Sequence, residues 1–243
     1  MRFKIKVEYD GTDFYGWQIQ KGLRTVQGVL DEVTKKVVDA KGLIQGASRT
    51  DRGVHALGQV AHFDAPYKVF KQRFEGDPEK LKKAINAILP KDIYVKELEI
   101  VENKFHARKS AKAKLYRYSI SLERSPIERR YTWEMNFKIN YRLFYEMCRL
   151  TIGERDFTPF SPLPEGNGII NIEKCFAERK GKKVYLYFYA KRFLNKLVRS
   201  LVGQMVYYIS RNDIEGYKRA LDNGPEAMII APPKGLFLME VYY

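Results

Sequence analysis

Phe3, Ile5, Val7 and Tyr9 alternate with Lys4, Lys6 and Glu8. A period of two predicts a strand with one buried and one charged face, and Asp10-Gly11 ends it as a turn signal. Thr25 then precedes Val26, Val29, Leu30, Val33 and Val37 at helical spacing, so it reads as the N-cap of an amphipathic helix that stops near Gly42. Val60 to Phe63 reads as a short strand. A helix over Pro78 to Leu89 starts with proline in its first turn and is halted by Pro90, and Ile93 to Ile100 forms another strand. The first half is therefore β, α, β, α, β.

Between Phe105 and Lys114 the chain turns polar and basic, which places a boundary near 105 and divides it into residues 1–104 and 105–243. The second half predicts strands over Leu115 to Leu122 and Tyr131 to Phe137, then a helix over Tyr141 to Thr151. A strand apolar on both faces follows over Val184 to Ala190, then a long helix over Phe193 to Ile209 and a last strand over Leu236 to Val241. Residues 159–171 carry three prolines and two glycines and read as a loop. Strands in hairpin-like neighbourhoods with helices between them define an α+β protein with a mostly antiparallel sheet.

Charge changes this picture from a generic α+β chain to one with an anionic partner. Lys plus Arg is 44 against 29 Asp plus Glu, a formal net charge of +15. Such an excess fits nucleic acid, although a lysine-rich surface also serves solubility. The amino terminus alternates instead of forming an apolar signal segment, and no apolar run is long enough to span a bilayer, so no membrane and a cytoplasmic location are expected. Cys148 and Cys175 are too few for a disulfide scaffold and lie in no zinc-site spacing, so both are expected as buried thiols.

The candidate chemistry centres on Gly46-Ala47-Ser48-Arg49-Thr50-Asp51-Arg52-Gly53-Val54-His55-Ala56. Two nearby guanidiniums favour the ionised form of Asp51, which suits an acceptor or nucleophile; Asp-Arg-Gly is also ordinary turn chemistry. Gly46 and Gly53 mark positions of positive φ or close backbone approach. Tyr116, Tyr118 and Ile120 share one face of a strand with Arg117 on the other, so Tyr116 can stack a nucleobase or simply fill the core. On the long helix Arg199 lies on a narrow polar stripe, where it either pairs with a carboxylate or snorkels to water. His55, His62 and His106 accompany no nucleophile motif, which leaves them as structural or RNA-contacting residues. No phosphate-loop or dinucleotide fingerprint is present.

With these residues in place, the chain resembles the TruA family of tRNA pseudouridine synthases, collinearly from Tyr9 to Tyr242. The resemblance is carried by Tyr9-Asp10-Gly11-Thr12, Gly16-Trp17-Gln18-Ile19-Gln20, Thr25-Val26-Gln27-Gly28, the Arg49 to Ala56 stretch and Gly58-Gln59-Val60. Phe105-His106-Ala107-Arg108, Lys114-Leu115-Tyr116-Arg117-Tyr118, Asp156-Phe157, Val198-Arg199, Val202-Gly203, Ala231-Pro232 and Gly235-Leu236 continue it. It implies a pseudouridine synthase fold of two ferredoxin-like halves sharing a mostly antiparallel sheet flanked by helices. It also implies a homodimer acting without cofactor or metal on the tRNA anticodon stem-loop, at nucleotides 38, 39 and 40. By the same resemblance Asp51 is the catalytic aspartate, Tyr116 the ring that stacks on uracil, and Arg199 the partner of Asp51. Arg49 helps to hold the flipped-out state, and Leu236 or Leu238 lines the pocket. Arg52, His55, Arg108 and Arg117 are the expected RNA contacts. Ser48 stands where many members have glycine, which fits only if that residue need not take positive φ. A non-catalytic RNA-binding module, with Asp51 a mere turn residue, and an aspartyl-nucleophile hydrolase of small substrates are the competing readings.

Overall fold

The computed structural model describes residues 1–135, 139–163 and 166–243. They form two compact units, one of Met1–Lys112 with Leu238–Tyr243 and one of Ala113–Phe237. The first unit runs through β1 (Arg2–Tyr9), α1 (Val26–Val38), β2 (Lys41–Gly46), β3 (His55–Asp64), α2 (Tyr67–Phe74), α3 (Pro78–Ile88) and β4 (Ile93–Val101). The second contains β5 (Ala113–Ser121), β6 (Trp133–Glu134), α4 (Arg142–Thr151), β7 (Gly153–Asp156), β8 (Ile169–Lys180), β9 (Lys183–Ala190), α5 (Leu197–Ser210) and α6 (Ile214–Asn223). The last strand, β10 (Leu236–Tyr242), begins in the second unit and ends in the first.

In the first unit the strand order is β4-β1-β3-β10, with β2 also on β3. The pairings of β1 with β3 and β4, and of β2 with β3, are antiparallel. β1 keeps the predicted alternation, with Phe3, Ile5, Val7 and Tyr9 buried. Thr25 caps α1 by accepting from the Gly28 N–H at 3.3 Å. The helix ends at Val38, short of Gly42, because Asp39 turns left-handed at φ 53° and releases the chain into β2. Neither β2 nor α2 is apparent from periodicity: β2 buries only Ile44, and α2 buries only Phe70 and Phe74. Phe70 packs edge-on to Phe3 at 5.0 Å, so tertiary contact supports a helix too short to stand alone.

The segment near 105 belongs to the first unit, which moves the division to the far side of Lys112. Arg2 is the physical cause: its guanidinium binds Asp64 bidentately at 2.8 Å and also donates to the carbonyls of Asn103 and Phe105 at 2.6 and 2.7 Å. Lys112 N–H donates to the Tyr242 carbonyl at 2.8 Å. The Ala107 N–H donates to Nδ1 of buried His62 at 3.1 Å. Burial, with the nearby Arg2 charge, lowers the His62 pKa from 6.5 to about 4. The unfolded chain therefore takes up this proton near pH 6.5 while the folded protein resists it until about pH 4, so stability falls as pH drops through that window. Thermal melts are expected to show a steeper loss between pH 6.5 and 4 for the wild type than for His62→Gln; parallel profiles would mean that the ring is not held neutral.

In the second unit the order is β5-β9-β8-β7, antiparallel throughout, with β6 pairing parallel to β5. The strand expected over 131–137 is reduced to Trp133–Glu134, and residues 136 and 137 lie outside the described residues. β8 begins at Ile169, inside the stretch expected as a loop, and residues 164 and 165 again lie outside the described residues. β9 is not apolar on both faces: Val184, Leu186, Phe188 and Ala190 are buried, while Tyr185, Tyr187 and Tyr189 on the other face are half-buried. The long helix begins at Leu197, four residues later than its apolar pattern. Lys196 takes φ 58°, and the Leu197 N–H closes a turn on the Leu194 carbonyl at 3.2 Å, so Phe193 and Leu194 precede the helix. Asp213 caps α6, whose buried face of Gly216, Tyr217, Ala220 and Leu221 carries only two large side chains. Cys148 and Cys175 are both buried, and burial together with the adjacent Cys148 pushes the Cys175 thiol pKa up. Among the described residues no helix is long and apolar enough to cross a membrane.

Candidate active site

Asp51 lies in the connection between β2 and β3, where the chain is held from three sides within the first unit. The Ala47 N–H donates to the Val60 carbonyl at 2.8 Å as the chain leaves β2. Gln59, wholly buried on β3, then grips the main chain of Ser48: its Oε1 accepts from Ser48 N–H at 3.2 Å and its Nε2 donates to the Ser48 carbonyl at 2.7 Å. Tyr9 Oη lies 2.8 Å from Thr50 Oγ1, which fixes the side chain just before Asp51. Trp17 N–H donates to the Thr50 carbonyl at 3.0 Å, and the Val54 N–H closes the turn on the Asp51 carbonyl at 3.1 Å. A buried amide that satisfies both main-chain groups of one residue is costly to lose, so it fixes the course of the segment.

The two glycines of the motif work in different ways. Gly53 takes φ +77°, which makes it the turning residue. Gly46 instead permits close approach, since a Cβ there would lie 2.5 Å from the Trp17 ring. Gly16 combines both demands, at φ +86° with an added Cβ 2.7 Å from the Thr50 carbonyl. Ser48 is not among the positive-φ residues, so serine is accommodated where glycine is common in the resembling family. The outcome is a half-exposed Asp51 flanked by the exposed side chains of Arg49 and Arg52.

His55, expected as a structural or RNA-contacting residue, is buried. Its side chain is only 1% exposed, and Nδ1 lies 3.0 Å from the Gly11 N–H, so it fastens the 10–17 loop to the start of β3. Arg108 is exposed in the segment after β4, with its N–H donating to His106 Nδ1 at 3.2 Å. Leu238 is fully buried in the first unit.

The second unit gathers Tyr116, Arg117, Arg199 and Leu236. Tyr116 on β5 is 6% exposed, and its ring stands edge-on to Phe193 with centroids 5.1 Å apart. Arg199 on α5 is half-buried and does not simply reach for water: its Nε donates to the Ala231 carbonyl at 2.8 Å while the Ala231 N–H returns a bond to the Arg199 carbonyl at 3.0 Å. Next along the chain, the Pro232 carbonyl accepts from the Tyr118 hydroxyl at 2.7 Å, so Arg199 and Tyr118 hold adjacent residues of the segment that leads into Leu236. Gly203 allows this segment to cross α5, because a Cβ there would meet the Ile229 carbonyl oxygen at 2.1 Å. Burial raises the Tyr118 phenol pKa well above its ordinary value, against the opposite pull of the Arg199 charge. The Arg117 guanidinium lies 5.1 Å from the Tyr185 ring and 4.7 Å from that of Phe237, which occupies its planar head within the protein. Gln59, Trp17 and Tyr118 were present in the sequence motifs without a role; only their occurrence beside Asp51, Tyr116 and Gly235 marked them.

The first unit thus holds a carboxylate on a turn fixed by buried hydrogen bonds, and the second holds a buried ring and an arginine anchored to the main chain. Comparison with known proteins gives the class: an enzyme that modifies bases of tRNA. The family model described as tRNA pseudouridine synthase matches residues 5–108 and 147–243. The tRNA pseudouridine synthase A of Thermoanaerobacter sp. (strain X514) is 38% identical over 248 residues, covering 98% of each chain. Those of Thermodesulfovibrio yellowstonii and Geobacillus sp. (strain WCH70) are 35% identical over 260 and 256 residues, covering the whole of this chain and 100% and 98% of theirs. The chain belongs to the tRNA pseudouridine synthase family.

Proposed function

We propose that this chain converts uridines 38, 39 and 40 of the tRNA anticodon arm into pseudouridine, working as a homodimer in the cytoplasm, with Asp51 as the catalytic carboxylate. Family membership makes it an isomerase that turns uridine of tRNA into pseudouridine. The observation that carries the assignment of Asp51 is the buried clamp of Gln59, Tyr9 and Trp17 around Ser48 and Thr50, which presents one carboxylate between two exposed arginines.

The reaction breaks the bond from uracil N1 to ribose C1′, turns the base, and forms the bond from C5 to C1′. The proton leaves C5 and N1 ends protonated, so no atom is gained or lost overall. In this reading Asp51 supports glycosidic cleavage. Tyr116 stacks the detached uracil so that it can turn without escaping, and Leu236 or Leu238 completes the apolar wall. Arg49 holds the uridine out of its helix, a step that costs a few kcal/mol and draws on phosphate contacts from Arg52, Arg108 and the excess basic charge. Arg117, half-buried on β5, belongs with these contacts.

The test is incubation with unmodified tRNA labelled with tritium at uracil C5, followed by mapping of the pseudouridines formed. Label release confined to nucleotides 38, 39 and 40 is expected. Pseudouridine elsewhere would move the substrate assignment, and tight tRNA binding without release would make the chain an RNA-binding module.

A further inference from the structure

The loop that precedes the catalytic turn carries two arginine–aromatic stacks, and they differ in what each guanidinium does besides stacking. Arg24 Cζ lies 3.9 Å from the Phe14 ring centroid, and its two terminal nitrogens donate to Asp92 at 2.7 and 2.8 Å. That charge is answered inside the protein. Arg52 Cζ lies 4.2 Å from the Tyr15 centroid. Among the described residues, however, the Arg52 guanidinium makes no hydrogen bond and no ion pair. Its fork of N–H donors is exposed one residue beyond Asp51.

The stack is also held at its base. Tyr15 N–H donates to the Arg24 carbonyl at 2.9 Å, and the Tyr15 carbonyl accepts from Gln20 Nε2 at 2.8 Å. The Phe14 carbonyl accepts from the N–H of Gly53, the residue after Arg52, at 3.3 Å. Tyr15 keeps 37% of its surface exposed, so its ring carries the guanidinium at the surface of the protein. A ring beneath a guanidinium occupies only its planar face. The edge donors stay available, and rotamer freedom that binding would otherwise remove is already restricted.

We propose that Tyr15 and Arg52 form a pre-oriented phosphate clamp for the tRNA backbone beside the target uridine. Arg52 makes the contact and Tyr15 is its positioning residue. The guanidinium fork matches a phosphodiester bidentately, and the charge of +15 makes a polyanion the complementary partner. The identity of the RNA rests on the function proposed above; the clamp chemistry rests on the geometry of this loop.

The experiment measures tRNA affinity across a series of potassium chloride concentrations for the wild type, Arg52→Gln, Arg52→Lys, Tyr15→Leu and the Tyr15→Leu/Arg52→Gln double variant, with melting temperatures on the same preparations. Removing one phosphate contact should lower the slope of log affinity against log salt by about 0.7–1. Arg52→Gln is expected to show that change with roughly tenfold weaker binding. Arg52→Lys and Tyr15→Leu should keep the slope and still lose severalfold in affinity, because charge remains while orientation is lost. The double variant should be no weaker than Arg52→Gln. An unchanged slope in Arg52→Gln overturns the clamp: weaker binding would then mean a base stacked on the guanidinium, and equal binding no contact. Tyr15→Leu that lowers only the melting temperature would make the ring loop support and overturn its positioning role. Failure of the functional reading shows up separately, as absence of pseudouridine at the mapped nucleotides in the wild type, and leaves the slopes interpretable.

Discussion

Asp51→Asn is expected to abolish pseudouridine formation, by at least about 1000-fold or about 4 kcal/mol of transition-state stabilisation, while the protein still folds and binds tRNA. Asparagine preserves the size of the side chain and removes its charge and most of its nucleophilicity. The bonds through the main chain of Ser48, the side chain and carbonyl of Thr50, and the carbonyl of residue 51 itself stay in place with asparagine. Binding should hold or tighten, because one negative charge near the RNA is gone. Filter retention of tRNA and tritium release on one preparation check this. Substantial turnover in the variant would remove Asp51 from the chemistry; joint loss of folding and binding would make it a structural turn residue.

Tyr116 should divide along the two parts of its side chain. Tyr116→Ala removes the ring and should lose about 1–3 kcal/mol of stacking on the target base, together with its edge contact to Phe193. Tyr116→Phe keeps the ring and should fold and bind nearly as the wild type, so any loss of turnover reports the hydroxyl and its part in removing the C5 proton. Single-turnover rates, binding constants and melts on both variants separate these contributions. Full activity in Tyr116→Ala would exclude base stacking.

Much of the fold could be read from local pattern. The alternation of β1 and the Thr25-capped spacing of α1 each depend on neighbours within one or two turns of chain; β1 lies where that pattern puts it, and α1 starts there and ends at Val38, short of Gly42. Errors concentrate where the deciding contact is distant. β2 and α2 have weak periodicity of their own, α6 buries few large side chains, and α2 owes its place to packing of Phe70 on Phe3. α5 starts later than its apolar stripe because Lys196 takes a positive φ just before it. β9 looked apolar on both faces because tyrosine counts as hydrophobic whether or not it is buried.

By itself the sequence determined the family, the basic character and the residues around which chemistry is argued, because motif order, charge count and short-range spacing are written along the chain. Which side chains hold that chemistry in place was decided only by the tertiary structure. The Gln59 clamp spans 11 residues, the Tyr9–Thr50 contact 41 and the Tyr118–Pro232 bond 114. The same holds for the opposite duties of Gly46 and Gly53, for the withdrawal of His55 into a loop anchor, and for the contrast between an ion-paired Arg24 and an exposed Arg52. Residue type sets what a group can bind, but whether a buried amide, a ring or a guanidinium has already been satisfied depends on which distant backbone or carboxylate the fold brings within about 3 Å.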